Sequence, residues 1–195
     1  MKAHRLFVVA VLGLAVVCSP ARASDTFRFD PAQSSISFKI RHLLGSAKGR
    51  FTKFNGTIEI DRNHPEQSSV IATIQVMSID TANAKRDEHL RSEDFFNVRK
   101  FPEIIFKSRR VKQTGSNAGE IAGDLTMHGI TRPVTLQVQL VGSPESAAKS
   151  QRTRWRVTTA PLKRSDFTLG SRKGAFSVIG NEVAVDIQIE ANRVE

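Results

Sequence analysis

The sequence contains no tyrosine and one cysteine, Cys18, which falls inside an N-terminal leader. A mature chain without a thiol has no disulfide framework, no cysteine-based metal site and no thiol nucleophile. Without tyrosine there is no phenol to move a proton or to bridge buried polar groups. Helical pattern is scarce: only the region from Thr81 to Asn97 shows it, too little for βαβ crossovers, so a parallel sheet is disfavoured. Serine hydrolase framing is missing, since Leu44-Gly45-Ser46 and Gly170-Ser171 do not make a GxSxG turn. The run from Gly45 to Gly49 is too short for a phosphate-binding loop and reads as a flexible hairpin tip. His42, His64, His89 and His128 show neither HExxH nor His-x-His spacing, so they read as structural histidines and no metal is assigned. No basic platform interleaved with aromatics is present, which argues against nucleic acid as a partner.

What is present begins with the leader. Lys2, His4 and Arg5 precede an apolar run from Leu6 to Val17, and Ala21-Arg22-Ala23 has the small-x-small form of a cleavage site. The run is too short to span a bilayer. The expectation is a secretion signal over residues 1–23, a single mature domain over residues 24–195 and a periplasmic location. Lipidation at Cys18 is disfavoured by the bulky Val16-Val17 before it. Removing Lys2, Arg5 and Arg22 with the leader takes the formal charge from +10 to +7. Most of these cations are expected to solvate outward strand faces, and an anionic membrane surface is the partner class that the balance favours.

The mature chain alternates. Ile36, Phe38 and Ile40 face one way and Ser35, Ser37, Lys39 and Arg41 the other, and the pattern returns at Ile58–Ile60, Val70–Val76, Val134–Leu140 and Val183–Ile189. Trp155, Val157 and Thr159 mark another strand, and Ile104 to Val111 and Glu120 to Met127 bring the expected number to about eight. Gly115-Ser116-Asn117 and His128-Gly129 read as hairpin turns, and Gly142-Ser143-Pro144 opens a polar loop through Gln151. An antiparallel up-and-down barrel or a sandwich satisfies this pattern, and periodicity does not choose between them. An eight-stranded barrel has an interior that is either filled by its own side chains or holds one slender ligand. Of the twelve phenylalanines only Phe7 lies in the leader, so an inward aromatic lining would be wholly apolar.

Between the two β-rich halves lies AKRDEHLRSEDFFNVRKFPEIIFKS (Ala84 to Ser108). Thr81 is the expected helix cap, Leu90 with Phe95-Phe96 gives a narrow apolar side, and Pro102 ends the helix. Such an element can close one end of a barrel. The runs RDEHL, SEDFFNV and FPEIIFKS in this segment, the opening FDPAQSSISFKIRHLLGSAKGRFTKFNGTI, the hairpin GDLTMHGITRPVTL, RSDFTLG and IGNEVAVDIQIEA together resemble the YceI family of bacterial periplasmic lipid-binding proteins. One departure is Asn97, where an acidic residue commonly follows the aromatic pair.

The resemblance implies an all-β, lipocalin-like eight-stranded antiparallel β-barrel with a short helical insert, and a homodimer is compatible with it. It implies binding, sequestration or transport of an isoprenoid or similar amphiphile, of quinone or polyprenyl type, with no chemical turnover and no cofactor beyond that ligand. Strand parity nominates Ile36, Phe38, Ile40, Phe51, Ile74, Phe106, Leu136, Val138 and Trp155 as the lipid-contacting set. His42, Arg86, Asp87, His89 and Arg164 are the candidate head-group contacts at the mouth, with an Arg164–Asp166 pair as a structural alternative. Two other functions remain open at this point. One is an enzyme modifying the lipid head group through His42, Asp87 or His89. The other is a stress-related interaction module whose barrel is packed solid.

Overall fold

The alternating segments form twelve strands in one antiparallel sheet. They are β1 (Ser24–Phe29), β2 (Ser35–His42), β3 (Gly45–Phe51), β4 (Phe54–Asp61), β5 (Ser69–Gln75), β6 (Ile79–Asp80), β7 (Glu103–Gln113), β8 (Ala118–Met127), β9 (Ile130–Leu140), β10 (Arg152–Thr159), β11 (Leu162–Lys163) and β12 (Ile179–Arg193). The computed structural model describes residues 24–43, 45–141, 150–170 and 179–194. The expected leader with Cys18, most of the polar loop from Gly142 to Gln151, and Ser171 lie outside the described residues.

Register reduces the twelve strands to eight staves. The long β12 pairs with β2 along Ile36↔Ile187 and with β1 along Phe27↔Arg193, so β1 and β2 are one stave bent at residues 30–34. Likewise β3 pairs with β2 while β4 pairs with β1, and β5 and β6 follow β4 and β3. β10 and β11 both run along β12. The ring then proceeds through β7, β8 and β9 and closes where β1 meets β12. The result is the closed eight-stave antiparallel barrel, not a sandwich, and closure leaves unpaired edge only where a short strand such as β6 meets a longer one.

Bends, not loops, account for the strands that alternation does not reveal. Gly45–Phe51 is a paired strand with Phe38 opposite Gly49, which corrects the expectation of a flexible tip there. Its inward positions are Ala47, Gly49 and, at its end, Phe51, and the Phe38 ring lies over Gly49 so closely that a Cβ there would sit 2.4 Å from the ring. Before Phe51 the apolar surface of this pair of strands is supplied by β2, so β3 shows no hydrophobic alternation.

Residues 81–102 cross one end of the barrel and carry α1 (Ala84–Arg91). This helix is shorter than expected, and its cap is Asn83, whose side chain accepts from the Arg86 N–H, rather than Thr81. Eight residues form a marginal helix alone, and α1 buries only Asp87. Its anchors are polar: Asp87 accepts from the N–H and hydroxyl of Thr81, Arg86 donates to Thr81, and Arg91 donates to the carbonyls of Met77 and Ile79. Asn97 sits at φ 48°, the left-handed region that asparagine tolerates, which explains why it can replace an acidic residue at that turn.

Asp80, just before the helical segment, accepts from the Ala82 N–H and pairs with Arg50 at 3.0 Å. The Ala82 hydrogen bond first, and the Arg50 bond second, hold its carboxyl below the ordinary aspartate value. A depressed folded-state value stabilises the fold above the unfolded value, and that contribution disappears as pH falls through the folded one. Asp80→Asn should therefore lower the melting temperature near neutral pH and converge with the unmodified protein in strong acid. Parallel melting curves at both pH extremes would refute this.

Candidate functional site

The inward face of the barrel is apolar yet incompletely packed. Phe27, Val76, Ile79 and Phe167 are fully buried, but Phe38, Ile40, Ile74, Leu136, Val138, Trp155, Val185 and Ile187 keep intermediate exposure although they point away from bulk solvent. Their exposed surface faces a cavity of about 1000 Å³. That is at the upper end of small-molecule sites, roughly 300–1,000 Å³, and far above the water-sized voids of an ordinary core. A barrel plugged by its own side chains is excluded by this volume.

The cavity runs from end to end. At one end its wall includes Asp61, Arg62 and Pro65 after β4 and Lys112 to Ala118 at the β7–β8 turn. At the other it includes His42, Thr81, Lys85, Arg86, His89, Lys163 and Arg164. Between these rims the lining is dominated by Ile, Val, Leu and Phe. The helical segment seals the second rim with Leu90, Phe95 and Phe96, and the Phe96 ring meets Phe51 edge-on at 6.3 Å.

All nine residues nominated by parity, namely Ile36, Phe38, Ile40, Phe51, Ile74, Phe106, Leu136, Val138 and Trp155, lie on the cavity wall. Of the mouth set, His42, Arg86, His89 and Arg164 are also on the wall, at the helical end. Asp87 is not: its carboxylate is turned to Thr81 and is 7% exposed. Burial of a carboxylate requires hydrogen bonds, and Thr81 supplies them, so Asp87 fixes the helix instead of meeting solvent at the rim.

Arg164 is also a structural clamp. Its guanidinium donates to the carbonyls of Leu169 (2.8 Å), Ile179 (3.1 Å) and Gly180 (2.8 Å), tying the turn after β11 to the start of β12. Burial draws its pKa downward. His89 packs edge-on against Phe95 at 4.9 Å and lies 3.7 Å from Asp94. His128 meets Phe101 edge-on at 4.7 Å and its Nδ1 bonds the Phe167 carbonyl. Among the described residues no three His, Cys, Asp or Glu side chains gather in a metal-holding group.

Sequence reading missed rim positions at the ends of elements and just beyond them, including Lys85, Lys163, Arg62, Lys112 and Gln113. At element ends too few residues remain for periodicity to assign an inside or an outside. Their charge matters. Asp61 is the single carboxylate on the described wall, and its Oδ1 already accepts from the Asn63 and His64 N–H groups. The helical-end rim carries only basic or neutral side chains, so it favours an anionic or hydrogen-bond-accepting end group over a cationic one.

Comparison with known proteins fits this architecture. A UPF0312 protein of Ectopseudomonas mendocina is 37% identical over 169 residues, covering 86% of this chain and 88% of the relative. Among solved structures, Burkholderia cenocepacia BcnA superimposes with a TM-score of 0.76 at 24% identity, covering 84% of this chain and 99% of that one. A polyisoprenoid-binding domain from Saccharophagus degradans, described as implicated in plant cell wall breakdown, gives 0.65 at 16% identity, covering 86% and 98%. Both are similar in fold. The model of the YceI-like domain matches residues 27–191, which is nearly all of the barrel, and the chain belongs to the YceI family.

Proposed function

We propose that this protein is a secreted periplasmic carrier that sequesters or transports one isoprenoid or similar amphiphilic lipid, of quinone or polyprenyl type, without transforming it. The observation that carries this reading is the end-to-end apolar cavity of about 1000 Å³ with charged rims. Membership of the family and the likeness to a domain described as polyisoprenoid-binding support it. Burying hydrocarbon contributes about 0.8 kcal/mol per CH₂, so a five-carbon prenyl unit contributes about 4 kcal/mol before ordering costs. One such unit outweighs any single neutral hydrogen bond at the rim, roughly 0.5–1.5 kcal/mol. Affinity therefore resides in the wall, and the head group is read at the helical end by His42, Arg86 and His89.

Native mass spectrometry of protein purified from its own periplasm should show an adduct of lipid mass, and a clean apo mass would sink the proposal. Phe38→Asp places a carboxylate on the apolar wall, where an unpaired charge is costly. Binding of a fluorescent isoprenoid should fall at least tenfold, whereas unchanged affinity in a folded variant speaks against the wall as the site.

A further inference from the structure

Some outward cations elsewhere on the barrel have a carboxylate partner, as Arg50 has Asp80, Arg109 has Asp124 and Arg154 has Glu190, while others, Lys107 and Arg110 among them, belong to no described ion pair. The β2–β3 hairpin differs in setting its cations directly against one another. Lys39 and Lys48 stand directly opposite one another, with Arg41 two positions nearer the apex on the same face. Like charges on a cross-strand pair are destabilising. None of the three belongs to a described ion pair or hydrogen bond, and all are exposed. On β12 the register partner of Lys39 is Ala184, and the outward acids on either side of it, Glu182 and Asp186, stand opposite Lys163 and Ser37. At the apex, Leu43 is 78% exposed, the highest value among the large exposed hydrophobics described.

Guarding an unpaired edge would account for Lys48, because β3 meets β6 only at Arg50 and Phe51. It does not account for Lys39, which is on an interior strand between β12 and β3, nor for an exposed leucine at the tip. The opposite face of the same hairpin contributes His42 and Ala47 to the cavity wall at its helical end. Cations beside an exposed apolar tip are the chemistry of a peripheral contact with an anionic bilayer, in which charge is held by headgroups and the apolar residue enters the headgroup boundary.

We propose that the β2–β3 hairpin docks the protein on an anionic phospholipid surface, through Lys39, Arg41, Lys48 and Leu43, with the helical-end rim facing the bilayer. The docking contact stands without the carrier reading; its purpose, passing lipid between membrane and cavity, rests on that reading.

Sedimentation of the whole mature protein with vesicles of phosphatidylglycerol and phosphatidylcholine, against phosphatidylcholine alone, tests the contact. Binding is expected to the anionic vesicles only and to weaken with salt. Each cation near such a surface is worth about fivefold in affinity, so the triple variant K39Q/R41Q/K48Q should lose on the order of 100-fold. Leu43→Ser should weaken binding further, and the outward control pair K107Q/R110Q should lose much less. None of these residues lies on the cavity wall, so fluorescent isoprenoid binding should be unchanged and reports that each variant is folded. The proposal is overturned if the unmodified protein ignores anionic vesicles, if the triple variant sediments as well as it does, or if the control pair loses as much. A triple variant that still sediments would leave the hairpin as a surface for a protein partner. Vesicle binding without isoprenoid binding would fail the carrier reading while the docking contact stands.

Discussion

Gly49→Val should reduce isoprenoid binding by about 5- to 150-fold, with a second substitution restoring most of it. The Phe38 ring lies flat against the wall only because Gly49 opposite has no side chain. A Cβ there would sit 2.4 Å from Phe38 and 2.8 Å from the Thr81 methyl; the Phe38 ring has the cavity to move into, whereas Thr81 is buried and held by Asp87 and Arg86. The backbone at Gly49 is ordinary extended strand, so valine is accommodated locally and the ring is what yields. Displaced from the wall, it projects into the cavity. Overpacking of this kind typically costs 1–3 kcal/mol, and here the cost falls on ligand entry because the cavity is the one place with room. In G49V/F38A the new methyl groups occupy the space the ring has left, so affinity should return to within a few-fold of the unmodified protein. A double variant as weak as G49V alone would show that the loss came from distortion of β3, and the wall argument would be wrong.

The second large effect is on stability. Arg164→Met keeps an unbranched apolar stem and removes the guanidinium that satisfies the Leu169, Ile179 and Gly180 carbonyls. Arg164 is 6% exposed, so water replaces those donors poorly. Each orphaned buried acceptor costs about 1–3 kcal/mol, and with partial relaxation the sum is about 3–5 kcal/mol. For a domain of this size the melting temperature should drop by roughly 10–15 °C. Lysine at this position supplies one cation without the planar fork and should recover only a minor part. A drop below a few degrees would mean that the turn after β11 holds itself in place without the clamp.

How much of this was readable beforehand differs by element. Strands with their own apolar alternation, such as β2, β5, β9 and β12, were legible because one face is dry and one is wet. β3 was not, since before Phe51 its inward positions are Ala47 and Gly49 and the hydrophobic surface at that point belongs to Phe38 on its neighbour. β6 and β11 have two residues each, too few to show a period. The nine residues nominated by parity line the cavity, because a closed sheet admits only two directions for a side chain. Polar roles were harder. Thr81 looked like a helix cap and is instead the partner of Asp87, and Arg164 looked like a rim cation and is bound to three main-chain carbonyls. Such roles depend on which backbone groups converge in space, and no spacing along the chain encodes that.

The ring is sealed by the contact of Phe27 with Arg193, a joint between the first and last strands of the domain. Loop closure over so long a separation is entropically costly, whereas the hairpins of the barrel need only short loops to close. The hollow thus does not exist until β12 has been delivered, and a nascent chain lacking it has no enclosed space in which to trap a hydrophobic molecule prematurely.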